Sequence, residues 1–206
     1  MTTHTSRLTA GLAATALVAS GLAITTGATT ATADVKQCVA TNPTETVSVF
    51  GINDFHGRVI DDSKPVTDPT AYLAGRLFTP VEQARDTQGE DNVLLISSGD
   101  NIGASTFVSM ITDDLPTLDI LNAAGLDVST VGNHEFDKGW SDLSGRVAAD
   151  SEFGYLGANV YKGTGTTVPA PLKEYEIFEK AGVKIAVVGV VTADVPSLVS
   201  PPASQA

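Results

Sequence analysis

Cysteine is almost missing from this chain: Cys38 is the single one in 206 residues. That excludes an internal disulfide framework, so stability must come from packing or from bound metal. Basic side chains are scarce too, 12 against 24 acidic ones, for a formal charge of −12. A chain this acidic is poorly suited to nucleic acid or to an anionic membrane surface, and it has carboxylates to spare for cations. Long apolar runs are confined to residues 8–24 (LTAGLAATALVASGLAI), which are rich in Ala, Gly and Thr and poor in Leu and Phe. A membrane anchor would need a stronger run. The order of one arginine, this stretch and ATA at 31–33 instead predicts a signal peptide over residues 1–33, removed before Asp34. A lipoprotein is disfavoured because Val35, Lys36 and Gln37 precede Cys38. There are no internal repeats.

Removing the leader leaves 173 residues, with 11 basic against 24 acidic side chains and a formal charge of −13. That length supports one domain with a real core. Residues 34–44 read as a linker. ETVSVFGI (45–52) alternates and is rich in Val, a strand. Residues 71–86 are helical in parts, with Thr79, Pro80 and Glu82 placed as N-cap, first helical residue and capping box of a short helix. Residues 93–96 form a continuous apolar run, the mark of a strand buried on both faces. DDLPTLDILNAA (113–124) has helical spacing, with acids at its start and Gly125 as a stop. Residues 127–131 predict a strand, 140–149 a helix, YLGANV (155–160) a short strand, and 174–179 with 183–191 a hairpin around Ala181 and Gly182.

Polar clusters follow three of these strands at once: Asn53-Asp54-Phe55-His56, Gly99-Asp100 and Gly132-Asn133-His134. In a sheet whose strands run the same way, the three junctions share one edge, where α/β folds hold their chemistry. Asp54 and His56, two apart on an extended strand end, point to the same side and can reach one cation. A carboxylate and an imidazole suit a borderline divalent ion such as Zn²⁺, Mn²⁺ or Fe²⁺. Asp100 has two oxygens that can hold different ions, and Asn133 offers a neutral carbonyl oxygen. His134 and Asp137, three apart, share a face of a helical turn, so Asp137 can orient the imidazole and favour its charged form. Past the leader there are only two histidines, and both lie in these junctions.

GINDFHGRV (51–59), LLISSGDNIGAS (94–105) and VGNHEFDKG (131–139), in this order and spacing, resemble the motifs of the calcineurin-like metallophosphoesterase superfamily. Within it the chain is similar to the secreted 5′-nucleotidase and UDP-sugar hydrolase family, as are YLGANVY and VKIAVVGVVT further on. The resemblance covers roughly residues 46–206. It implies an α/β fold, a sandwich of two β-sheets flanked by helices and incomplete at its C-terminus, with residues 45–206 as the N-terminal part of the domain. It implies two divalent metal ions of the Zn, Mn or Fe type, with Asp54 and His56 on one, Asp100 bridging and Asn133 on the second. It implies that His134 acts on the phosphate or leaving group and that Asp137 orients it, with Glu135 and Phe136 in packing or support. The implied substrate is a small-molecule nucleotide or nucleotide sugar, hydrolysed outside the cell or at the cell wall, with no nucleic-acid partner and no stable membrane insertion after leader cleavage. The family's later histidines, including a Gly-His-x-His stretch, and its C-terminal nucleotide-binding domain have no counterpart here, so this chain alone is expected to be weak or inactive. The alternatives are a 2′,3′-cyclic-nucleotide phosphodiesterase, a non-catalytic truncated product, and a solute-binding α/β protein.

Overall fold

The computed structural model describes residues 45–199. The predicted leader, the linker through residue 44, Cys38 and residues 200–206 lie outside the described part.

Four parallel strands form the first sheet in the order β1 (Ser48–Ile52), β2 (Val93–Ser97), β3 (Val128–Thr130), β4 (Gly154–Leu156). β2 lies inside the sheet, and Val93, Leu94 and Leu95 are fully buried. Its continuous apolar sequence is what two covered faces require. The register pairs Ile52 with Ser97, Ser97 with Ser129 and Thr130 with Leu156. The C-terminal ends of the strands therefore line up, and the three polar junctions share one edge, as the sequence predicts.

The chain returns between strands through helices. α1 (Leu73–Gln88) joins β1 to β2. Between β2 and β3 come a short turn of helix, α2 (Phe107–Met110), and α3 (Leu115–Ala123). α1 corrects the expected short helix. It begins well before Thr79 and carries Pro80 inside it. Thr79 caps nothing; its hydroxyl donates to the Gly75 carbonyl at 2.7 Å. Glu82 pairs with Arg85 at 2.7 Å rather than closing a capping box. An interior proline costs about 3 kcal/mol. Here the exposed face carries it, while Ala74, Phe78, Val81 and Ala84 bury a stripe into the core on the other side. Each large apolar side chain fully buried contributes roughly 1.5–3 kcal/mol, so the stripe decides the helix. Arg85 then donates to the Ala124 and Gly125 carbonyls, at 2.7 and 2.8 Å, tying α1 to the end of α3.

α3 starts at Leu115, later than the acids suggest. Asp114 does not sit at the helix mouth as an exposed acid. It is buried in left-handed backbone (φ 63°) and accepts from the Ser109 hydroxyl at 2.9 Å. The predicted helix over 140–149 is one helical stretch with a wide π turn, Leu143–Val147, between α4 (Trp140–Asp142) and α5 (Ala148–Asp150). The strand expected over 155–160 ends at Leu156, because the chain turns at once and Val160 donates to the Gly157 carbonyl. The predicted hairpin is β5 (Tyr175–Lys180) against β6 (Val183–Val188), the second sheet among the described residues, and its second strand stops before Gly189. A last short helix, α6 (Val195–Leu198), follows.

Candidate metal centre

The backbone of the first two junctions runs paired past the ends of β1 and β2. The amides of Asp54, His56 and Gly57 donate to the carbonyls of Gly99, Asp100 and Asn101 at 3.1, 3.1 and 3.2 Å. Asp54, His56 and Asp100 all have positive φ, of 52°, 47° and 54°. This corrects the extended backbone expected between Asp54 and His56. Non-glycine residues in this region cost on the order of 1–3 kcal/mol each and collect where a site over-determines the chain. The two side chains still meet, with an Asp54 Oδ1 to His56 Nε2 distance of 3.7 Å.

His56, Asp100 and His134 each offer a ligand atom, and these atoms all lie within 4.8 Å of one another. The three come from three different strand ends. The two imidazole rings meet edge to face, 5.0 Å between centroids. His56 Nδ1 lies 2.8 Å from the Gly103 carbonyl, so Nδ1 carries the proton there and Nε2 is left as a ligand atom. His134 Nδ1 lies 2.8 Å from Asp137 Oδ2. Burial pulls the His134 pKa down, but the Asp137 hydrogen bond and charge, helped by Asp100 and Glu135, hold it above the usual 6.5. Asp100 Oδ1 also accepts from the His134 amide at 2.9 Å.

Every residue singled out in the sequence thus falls at this edge. Asp54 sits beside His56, and Asp137 backs His134. Asn133 opens the 3-10 turn His134–Phe136. His134 is grouped here with the possible ligands, although the sequence reading gives it a proton-handling part. Two imidazoles and a carboxylate are a donor set that fits a borderline divalent ion.

The support beneath the site is less visible in the sequence. Glu135 is buried, and its carboxylate accepts from the amides of Asp100, Asn101 and Gly132 at 2.9, 2.9 and 2.6 Å. Burial pushes its pKa up to about 7, with those three amides pulling the other way. One side chain therefore ties the loop after β2 to the loop after β3. Below it, buried Asn101 bridges Ser97 and Ser129 through bonds of 2.6 and 2.8 Å. Gly103 lets the loops touch: a Cβ there would lie 2.6 Å from the His134 carbonyl oxygen. The sequence signal for these parts is faint, a second glycine in GDNIGAS and a glutamate inside the third motif.

No family model matches the chain. Several curated proteins do. The cell wall protein Lmo0130 of Listeria monocytogenes is 33% identical over 178 residues, covering 74% of this chain and 22% of that protein. The endonuclease YhcR of Bacillus subtilis is 33% identical over 169 residues, 74% of this chain and 14% of its own length. A 5′-nucleotidase of Vibrio vulnificus is 31% identical over 164 residues, 79% of this chain and 28% of its own. The chain thus spans 14–28% of the length of these relatives. Among solved structures, a 5′-nucleotidase precursor from Thermus thermophilus superposes with a TM-score of 0.58 at 19% identity, over 72% of this chain and 29% of that one. The NAD nucleotidase of Haemophilus influenzae gives 0.56 at 22%, over 72% and 26%. These two likenesses establish the fold.

Proposed function

Because the chain belongs to the calcineurin-like 5′-nucleotidase family, to its N-terminal domain, we propose that it carries the metal-binding edge of a metallophosphoesterase acting on nucleoside 5′-phosphates or nucleotide sugars. The observation that carries this reading is the convergence of His56, Asp100 and His134 from three strand ends. Asp54 and His56 would hold one divalent ion, Asp100 would bridge, and Asn133 would serve a second. Such ions, when bound, polarise phosphate oxygens and lower the pKa of a bound water.

The remaining chemistry belongs to the chain. His134 holds its proton because Asp137 accepts from Nδ1 and favours the charged ring. Its Nε2 is then free to donate to a phosphate oxygen or to the departing alkoxide. Asp137 fixes the tautomer and keeps the ring from rotating. Glu135 holds the amides of Asp100, Asn101 and Gly132, so the residues on the two loops keep their spacing. The leader read in the sequence supports action outside the cell or at the cell wall, and among the described residues no helix is long and apolar enough to cross a membrane.

The test is hydrolysis of AMP, UDP-glucose and 2′,3′-cyclic AMP by the protein, with Mn²⁺ or Zn²⁺ and after chelation. The 5′-monophosphate or the nucleotide sugar is turned over with metal, weakly as expected of this chain alone, and not without it. Hydrolysis that survives complete chelation overturns the reading, and turnover confined to the cyclic substrate moves the protein to the phosphodiesterases.

A further inference from the structure

A cavity of about 500 Å³ opens beside Asp54, lined by Asn53, Asp54, Phe55 and Arg58 from the first junction and by Leu73, Arg76 and Leu77 from α1. Its two arginines differ from the other two among the described residues. Arg85 is bound to Glu82 and Glu90, and Arg146 to Asp142. Four described lysines are likewise paired with acids: Lys64, Lys138, Lys173 and Lys180. Arg58 and Arg76 pair with no acid among the described residues, in a chain with twice as many acidic as basic side chains. Lys162 and Lys184 also pair with no acid among the described residues, but Arg58 and Arg76 are the two that line one cavity together.

The cavity adjoins the candidate metal centre through Asp54, whose carboxylate lies 3.7 Å from the His56 ring. Asp54 thus belongs both to this cavity and to the candidate metal edge, and a group extending from that edge past Asp54 into the cavity would meet Arg58 and Arg76. Guanidinium forks match phosphate oxygens in pairs and keep their charge at any working pH. From this arrangement we infer that Arg58 and Arg76 form a subsite for a second phosphoryl group, one step removed from the phosphorus under attack. The inference rests on the phosphoesterase reading and sharpens it. The preferred substrates carry two or more linked phosphates, as nucleoside diphosphates, dinucleotides and nucleotide sugars do, and monophosphates use the site without this contact. Arg58 and Arg76 act here on binding and selection and take no part in bond breaking.

Two measurements on R58A, R76A and the double variant test this. The first is steady-state kinetics with ADP against p-nitrophenyl phosphate, which has no second phosphate. For ADP, KM rises about tenfold to a hundredfold, the loss that a charge-assisted hydrogen bond corresponds to, while p-nitrophenyl phosphate keeps its constants within about twofold. An equal change for both substrates, or none for either, overturns the subsite. The second is calorimetric titration of metal-free protein with inorganic pyrophosphate and with orthophosphate, which needs no turnover. Pyrophosphate binds more tightly than orthophosphate to the wild type, and the double variant loses that preference. If the protein hydrolyses nothing but the pyrophosphate preference holds, the phosphoesterase reading fails and the anion subsite stands. If hydrolysis is normal and no preference is found, the subsite alone is refuted. Both arginines are exposed, so their truncation leaves the core untouched, and unchanged urea midpoints confirm it.

Discussion

Replacing Gly132 by alanine is the sharpest probe of how the metal edge is built. A Cβ at this position would lie 2.6 Å from the Asp100 amide nitrogen and 2.7 Å from its carboxylate carbon, with Oδ1 in contact as well. Comfortable contacts need about 3.5 Å, so Asp100 must retreat by roughly 0.8 Å. That motion stretches the 2.9 Å bond from the His134 amide to Asp100 Oδ1 past useful length. Losing a charge-assisted bond costs about 1.5–3 kcal/mol, and overpacking costs about 1–3 kcal/mol. Partial relaxation shares these two costs, so the expected destabilisation is about 2–4 kcal/mol. Metal donors tolerate only about 0.2 Å of displacement, so affinity for Zn²⁺ or Mn²⁺ falls by about tenfold to a hundredfold or more. Urea unfolding gives the first number and calorimetric metal titration the second. The matching control is Gly75→Ala in α1, where nothing lies within 4 Å of the added methyl. It stabilises by about 0.5–1 kcal/mol and leaves metal binding alone. Wild-type stability and metal affinity in the Gly132→Ala protein would refute the close approach of the two loops.

Other outcomes follow from the same geometry. Glu135→Ala leaves three amides without their acceptor, and urea unfolding shows a loss of about 3 kcal/mol or more; a loss below about 0.5 kcal/mol would mean water replaces the carboxylate freely. In the metal-free protein, an NMR titration of His134 gives a pKa above 6.5, and Asp137→Asn moves it down. Because the folded value is raised, this pair adds stability that is complete below 6.5 and is lost as pH rises through the folded pKa; an unchanged titration in the variant disconnects the pair. Pro80→Ala restores a backbone donor inside α1 and raises the thermal midpoint, with a gain of about 1–2 kcal/mol, less than the roughly 3 kcal/mol of an interior proline because the freed unfolded chain gains entropy. A lower midpoint would show that the proline ring itself is packed.

The three junctions were readable because each follows directly on a buried strand. A parallel strand covered on both faces announces itself by an apolar run, and the first polar residues after it must lie at the sheet edge. Once the strands are parallel and neighbouring, His56, Asp100 and His134 converge without further information. The start of α1 was not readable, because Pro80 carries a strong local signal for a helix start. What overrides it is the burial of Ala74 and Phe78 on the far side, which depends on where the sheet lies. Glu135 was readable only as packing or support, not as the acceptor of three amides. Its partners at Asp100 and Asn101 are more than thirty positions away, so no local pattern names them. Asp114 misled for a nearer reason: the Ser109 hydroxyl it accepts from lies in the preceding helical turn, which buries the acid. Local patterns thus located the candidate site, and contacts distant in sequence decided how it is held.

The carboxylate of Glu135 also governs when the site exists. Its grip on amides from two loops means that the residues around Asp100 and those around Asn133 cannot loosen separately; they open together or not at all. Hydrogen exchange at the amides of Asp100, Asn101 and Gly132 would then follow a single shared opening event, slower than exchange in the loops around it. An ion reaching this edge would meet possible ligand atoms of His56, Asp100 and His134 already within 4.8 Å of one another. Its binding energy is not consumed in ordering the chain, and the rate of capture is set by diffusion and by the shedding of water.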